Sequence, residues 1–305
     1  MSDTAAPERP RPLDPQALQT SLRRLMKAPQ APWLHTEVAR RMAERLPVFR
    51  QPPRAVLDWH ATLGGGRAAL QAALPKAHIQ AVEGQPVAPA AAAASRWVPP
   101  RWWPGARAGA ALPEAAVPAG QAGMVWANMA LHFQSHPQAL MRRWWQALAV
   151  DGVLMFSTLG PGTLEALRAV YRQAGWPPPM ADLVDMHDLG DMLVEAGFAD
   201  PVMDQETVTL TWADAAALLA ELRSLGGNWS LQRFPGLRTP DWQRRLMAAL
   251  ASTAGPDGRP ALAFELVYGH AVRPAPRPRL APETHVGLDE MRQMMRAGRR
   301  PGGSG

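Results

Sequence analysis

The sequence predicts an α/β fold built on a mostly parallel sheet, and three observations carry that expectation. Residues 55–58 form a short apolar run that enters the glycine-bearing turn 60–66 and then an alanine-rich helix through Leu70 and Leu74. Further apolar runs of strand length alternate with stretches of helical spacing, the order that puts helices between parallel neighbours. At 305 residues the chain is long enough to bury a full core.

The elements follow in order. Residues 1–14 are polar and proline-rich and are expected to be disordered. Residues 15–46 carry helical spacing in Leu18, Leu22 and Leu25, then Val38, Met42 and Leu46, which predicts two N-terminal helices within 15–50. Strands are expected at 55–58, 79–83, 123–127 and 153–157, the last after an Asp151-Gly152 turn. Helices are expected at 67–74, 137–149, from Gly162 to Ala174, and at 186–196. Residues 201–211 alternate in the period of a strand, and 261–270 read as the last strand. Between them, 212–260 holds helical segments at 214–225 and 242–251 around a loop-rich stretch that starts at Gly226-Gly227, an insertion placed to act as a lid.

Composition narrows the function classes. There is no cysteine, which removes disulfides, thiolate metal sites and a cysteine nucleophile and fits a reducing cytoplasm. The longest alanine-rich run, 88–94, is too short to span a bilayer, and no membrane association is expected. The net charge is +6, but residues 274–305 contribute six arginines against three acids, so half of the excess sits in a basic tail expected to be disordered. The remaining 15–273 is only mildly basic and has no basic helix interleaved with aromatics, which argues against nucleic acid as partner. No histidine and acid cluster has metal spacing; His60 is expected to be a packed imidazole. His187, between Asp185 and Asp188, suggests a dyad, but Asp185 as a helix cap explains the pattern better. The Trp102-Trp103 and Trp144-Trp145 pairs read as packing.

Four strings in order then carry a resemblance: 156–164 (FSTLGPGTL), 185–191 (DMHDLGD), 196–204 (AGFADPVMD) and 264–270 (FELVYGH). With them the chain resembles the class I S-adenosylmethionine-dependent methyltransferases, and among these the malonyl-acyl-carrier-protein O-methyltransferases of biotin synthesis, from about Trp33 to His270. The resemblance implies a Rossmann-like seven-stranded sheet with helices on both faces and a helical lid before the last strand. It implies S-adenosylmethionine as cofactor and a malonyl thioester of acyl carrier protein or coenzyme A as substrate.

The resemblance also implies a cofactor site at Asp58, Gly64, Gly65, Glu83, Asn128 and Met129. Glu83 stands where the family's ribose-binding acid ends the second strand, and a carboxylate matches paired hydroxyls well. The family's acid is followed by glycines two, four and six positions on; here Asp58 is followed by His60, Thr62 and Gly64, so two glycines are replaced, with Gly65 and Gly66 one step late. The family's adenine-contacting acid falls on Ala108. A malonyl carboxylate is already ionised at neutral pH, so its methylation needs approach geometry and a dry pocket but no general base. A polar clamp would suffice, and His132, Arg142 and Arg143 are the candidates. The altered loop leaves a second reading open, a pseudo-methyltransferase that kept the fold as a binding or regulatory protein.

Overall fold

The computed structural model describes residues 10–84, 111–255 and 257–276. Ala108, the alanine-rich run, the Trp102-Trp103 pair and most of the basic tail lie outside the described residues. The chain divides into a unit of residues 1–274, which holds the sheet and its helices, and a C-terminal unit of 275–305.

Two helices lead in, α1 (Pro15–Lys27) and α2 (Trp33–Ala43). They are followed by β1 (Ala55–Trp59), the one-turn α3 (Ala61–Gly64), α4 (Arg67–Ala73) and β2 (His78–Glu83). Next come β3 (Leu112–Pro113), β4 (Ala122–Ala127), α5 (Pro137–Ala147) and β5 (Leu148–Leu159). The chain continues through α6 (Glu165–Gln173), α7 (Met186–Glu195), β6 (Ala199–Thr211), α8 (Ala215–Ser224), α9 (Pro240–Ala251) and β7 (Ala261–Val272).

The strands form one sheet in the order β3-β2-β1-β4-β5-β7-β6. Every pair from β3 to β5 is parallel, and β7 runs antiparallel to both β5 and β6. Because side chains alternate across a strand, successive residues feed opposite cores. Val56, Met124, Trp126 and Met155 join α2, α4, α6, α8 and α9 on one face. Leu57, Val125, Ala127, Leu154 and Phe156 meet α5 and α7 on the other, where Trp144 is fully buried. The expected helices on both faces are therefore present.

Several expectations are refined. The pair Leu112-Pro113, read only as a segment before a strand, completes the seventh strand by pairing with Val82 and Glu83. β5 begins at Leu148, five residues early: Asp151 (φ 62°) and Gly152 kink a continuous strand rather than starting one. A side chain at 152 would lie 2.8 and 2.9 Å from the carbonyls of Ala149 and Ala122, which explains the glycine. Residues 10–14 are not disordered. The Arg11 guanidinium donates to the carbonyls of His132 (2.8 Å), Gln134 (3.2 Å) and Asp182 (2.6 Å), and Leu13 bridges to Ser230. Asp14 caps α1 and accepts from Arg233 at 2.6 and 3.0 Å. Asp185 caps α7, accepting from the His187 backbone and ring at 2.8 Å, as the capping reading requires. Between β6 and β7, α8 and α9 bury Ala215, Leu218, Leu246 and Leu250 in the core beside α6.

Candidate functional site

In a parallel sheet the strand order reverses where successive crossovers leave on opposite sides, and a crevice opens at the carboxyl ends of the strands there. Here that point lies between β1 and β4. Just past the end of each strand a residue adopts the left-handed region, His60 (φ 54°) after β1 and Met129 (φ 51°) after β4. Non-glycine residues adopt that conformation at a cost of about 1 kcal/mol or more, and such strain concentrates at functional edges. The left-handed turn at His60 is the physical demand behind a glycine at this position; histidine, among the residue types that tolerate it, meets the demand here. Its ring is partly buried close to Gly84, where an added Cβ would fall 2.7 Å from Cε1, and desolvation lowers its pKa, opposed by Glu114 and Glu83.

The first carboxylate of the site, Asp58, is almost wholly buried, and its Oδ2 has no hydrogen-bond partner. Burial raises its pKa to about 7, with Arg67 opposing and Glu83 adding to the rise. Glu83 ends the neighbouring strand, one position past the Trp59–Val82 pair. Its Oε1 accepts from the Thr62 backbone N–H at 2.8 Å and from the Thr62 hydroxyl at 2.6 Å, while its Oε2 is buried without a partner. The residue that replaces a loop glycine therefore holds one oxygen of the acid.

Asn128 clasps the two loops together. Its amide donates to the carbonyls of His35 (2.8 Å) and Gly64 (2.6 Å), and its Oδ1 accepts from the Ser157 hydroxyl at 2.7 Å. A Cβ at Gly64 would sit 2.8 Å from the Asn128 carbonyl oxygen, so the loops touch only because residue 64 is glycine. Gly65, at φ 63°, meets Ala31, and its left-handed conformation ends α3. Among the expected cofactor residues, Asp58, Gly64, Glu83, Asn128 and Met129 all stand at this carboxyl edge, but Asn128 and Gly64 are already engaged with each other.

Beside the crevice lies a cavity of about 220 Å³. Met129 and His132 line it from the loop after β4, Leu159 and Thr163 from the end of β5, Tyr171 from α6, Leu246 from α9, and Gly226, Asn228 and Trp229 from the α8–α9 loop. Two imidazoles form part of its wall. His35 donates from Nδ1 to the Leu63 carbonyl at 2.8 Å, and burial lowers its pKa to about 4. His132 is fully buried, stacks on Trp229, and is held well below its usual pKa by burial and then by His35 and Arg11. Both are neutral at physiological pH.

Of the clamp candidates, only His132 lines this cavity. Arg143 pairs with Glu114 at 2.7 Å, and Glu114 also accepts from the Trp59 indole at 3.1 Å. Arg142 and Arg143 are exposed on α5, on the opposite face of the sheet from α6, α8 and α9. The cations that line the cavity are instead Arg24 of α1 and Arg223 of α8, Arg24 donating to the Arg223 carbonyl at 2.9 Å. Arg24, His35 and Arg11 were not singled out from sequence, and Thr62 was noted only as a replaced glycine. The partners of the first three lie 28 to 199 residues away, and no local spacing records such contacts.

A sheet ordered 3-2-1-4-5-7-6 with only β7 reversed, and a carboxylate at the end of each of its first two strands, is the arrangement of a class I methyltransferase. No protein-family model matches the chain. Curated relatives do. The malonyl-[acyl-carrier protein] O-methyltransferase of Laribacter hongkongensis is 37% identical over 259 residues, covering 81% of this chain and 84% of that protein. Its namesake in Halorhodospira halophila is 36% identical over 260 residues, with 84% and 87% covered. The one in Gallionella capsiferriformans is 35% identical over 255 residues, with 80% and 85% covered. The chain belongs to the malonyl-[acyl-carrier protein] O-methyltransferase family.

The polar half of the site fits the cofactor of such enzymes. Two buried carboxylate oxygens without partners, Asp58 Oδ2 and Glu83 Oε2, are acceptors for hydroxyl or ammonium donors. The loop half is tightly packed: a Cβ at Gly84 would fall 2.7 Å from His60 Cε1, and one at Gly64 2.8 Å from the Asn128 carbonyl oxygen.

Proposed function

We propose that the chain transfers a methyl group from S-adenosylmethionine to the free carboxylate of a malonyl thioester on acyl carrier protein, a step of biotin synthesis. The observation that carries this reading is the family relation over four-fifths of the chain, joined to a cavity that opens beside the β1/β4 crevice. In this reading Glu83 takes the ribose hydroxyls and Asp58 the cofactor's positive end, with Gly64, Gly65, Asn128 and Met129 forming the channel between them.

The bound cofactor supplies an electrophilic methyl group on a sulfonium. With it held by Asp58 and Glu83, one substrate carboxylate oxygen would take the methyl carbon while the carbon–sulfur bond breaks and the sulfur keeps its electron pair. No proton moves, so neutral His35 and His132 are not needed as bases. They are neutral polar groups of the wall, and His132 is the clamp candidate that lines the cavity. Leu159, Leu164, Leu246 and Phe264 exclude water from the cavity, which strips the carboxylate of the hydration that blunts it. Malonyl-coenzyme A presents the same thioester and belongs to the same substrate class. The lack of cysteine supports a cytoplasmic setting, and no described helix is long and apolar enough to cross a membrane.

The test is intact-protein mass spectrometry of malonyl-loaded carrier incubated with enzyme and S-adenosylmethionine. The reading expects a gain of one methyl in place of a proton, dependent on both; an unchanged carrier mass, with the cofactor bound, would assign the site to another acceptor.

A further inference from the structure

The wall of the cavity continues onto the surface in an unusual way. After Trp229 the chain carries three exposed apolar side chains within seven residues: Leu231 (61% exposed), Phe234 (37%) and Leu237 (97%). Large contiguous exposed apolar patches mark interaction sites. The segment is anchored rather than adrift. Arg233 pairs with Asp14 at 2.6 Å, and Arg238 stacks on Phe234 (3.8 Å) and Trp242 (4.4 Å). Trp242 meets Tyr171, which itself lines the cavity, so the patch is continuous with the cavity wall.

Its surroundings are basic. Over residues 221–245 there are five arginines against two acids, Glu221 and Asp241. Arg233 and Arg244 are neutralised by Asp14 and Asp241. Arg223, Arg238 and Arg245 have no carboxylate partner among the described residues, nor do Arg23, Arg24 and Lys27 of α1, which Arg24 ties to α8 through the Arg223 carbonyl. The cavity wall thus carries two cations without a carboxylate partner, Arg24 and Arg223, and connects through Tyr171, Trp242 and Arg238 to the exposed Phe234.

We propose that this rim, Leu231, Phe234 and Leu237 with the cations of α1 and α8, is the docking surface for the acyl carrier protein, which it holds while the thioester arm enters the cavity. The assignment rests on the malonyl-carrier reading of the site. Carrier proteins are acidic, so the charge is complementary, and the apolar side chains supply the buried centre that charge alone does not. A small thioester with no protein attached has no use for this surface.

That difference is the test. Leu237→Asp changes a side chain that lines neither cavity nor crevice, and Arg23→Glu reverses an exposed cation of α1. Methylation is measured with malonyl-loaded carrier and, separately, with malonyl-pantetheine. Each variant is expected to raise KM for the carrier substrate about tenfold or more, with kcat/KM for malonyl-pantetheine unchanged and the carrier KM of wild type rising with salt. Equal kinetics of wild type and variants on the carrier, or equal losses on both substrates, overturn the proposal. Titration calorimetry with the loaded carrier separates it from the activity. If wild type methylates neither substrate but binds the carrier, and Leu237→Asp does not, the surface stands and the reaction falls. No carrier binding by wild type overturns the surface itself.

Discussion

Thr62 and Glu83 give the sharpest test of the cofactor site. If Glu83 receives the ribose hydroxyls, the ligand has to displace the Thr62 hydroxyl, which holds Glu83 Oε1 at 2.6 Å, while the Thr62 backbone N–H at 2.8 Å can stay. A hydrogen bond to a charged group contributes about 1.5–3 kcal/mol net. Glu83 is only partly buried, so the low end applies, and removal of the hydroxyl in Thr62→Ala should favour the ligand by about 1.4 kcal/mol, a factor of about ten in Kd. Titration calorimetry with S-adenosylhomocysteine reads this directly. Thr62→Ala should bind about tenfold tighter than wild type, and Thr62→Ser, which keeps the hydroxyl, should bind like wild type. Unchanged or weaker binding by a folded Thr62→Ala would refute the competition, and with it the assignment of Glu83.

Other consequences arise at the same edge of the sheet. Asp58 has its folded pKa raised to about 7 from 3.8. Between these values the folded state keeps a proton that the unfolded state has lost, so this group lowers stability as pH rises from about 4 to 7 and has a constant effect above. Asp58→Asn should therefore gain stability over wild type across that window, up to about 4 kcal/mol by pH 8, as read by denaturant melts at several pH values; a difference independent of pH would exclude a protonated Asp58. Gly64→Ala places a Cβ 2.8 Å from the Asn128 carbonyl oxygen. It should cost about 1–3 kcal/mol and lower Tm by several degrees in calorimetry; an unaltered Tm would mean that the loops part easily. Asn128→Ala removes three buried hydrogen bonds, to His35, Gly64 and Ser157. A loss of about 3 kcal/mol is expected in denaturant unfolding, and a neutral variant would show that the clasp contributes nothing.

The periodic parts of the fold were legible because periodicity is what the core imposes. Val56 and Leu57, or Leu154 and Met155, alternate between two cores and so read as strands. Leu112-Pro113 is too short for any period, and its pairing with β2 is a tertiary fact. Asp151-Gly152 has the composition of a turn, but the flanking strand tolerates it as a kink. Residues 10–14 have a disordered composition, yet Arg11 finds three carbonyls more than 120 residues away.

In the site, acid and glycine positions could be found because strand ends and a left-handed turn constrain residue type. What replaced the missing glycines could not be interpreted from sequence. His60 adopts the turn itself, and Thr62 occupies Glu83, both visible only once β1 and β2 lie side by side. The arginines of α5 looked apt by proximity in sequence to His132, but the helix carries them to the other face of the sheet, where Arg143 meets Glu114. The cations that line the cavity are Arg24, from a helix more than one hundred residues earlier, and Arg223 of α8.

If Asp58, Glu83 and the β4 loop hold the cofactor as proposed, loop 60–65 moves to admit it. Titration of wild type and Glu83→Ala with S-adenosylhomocysteine, each shown to be folded by calorimetry, tests this most directly. Micromolar binding by wild type, lost or strongly weakened in Glu83→Ala, is the predicted result. No binding by wild type up to millimolar ligand, or equal binding by both proteins, would contradict it.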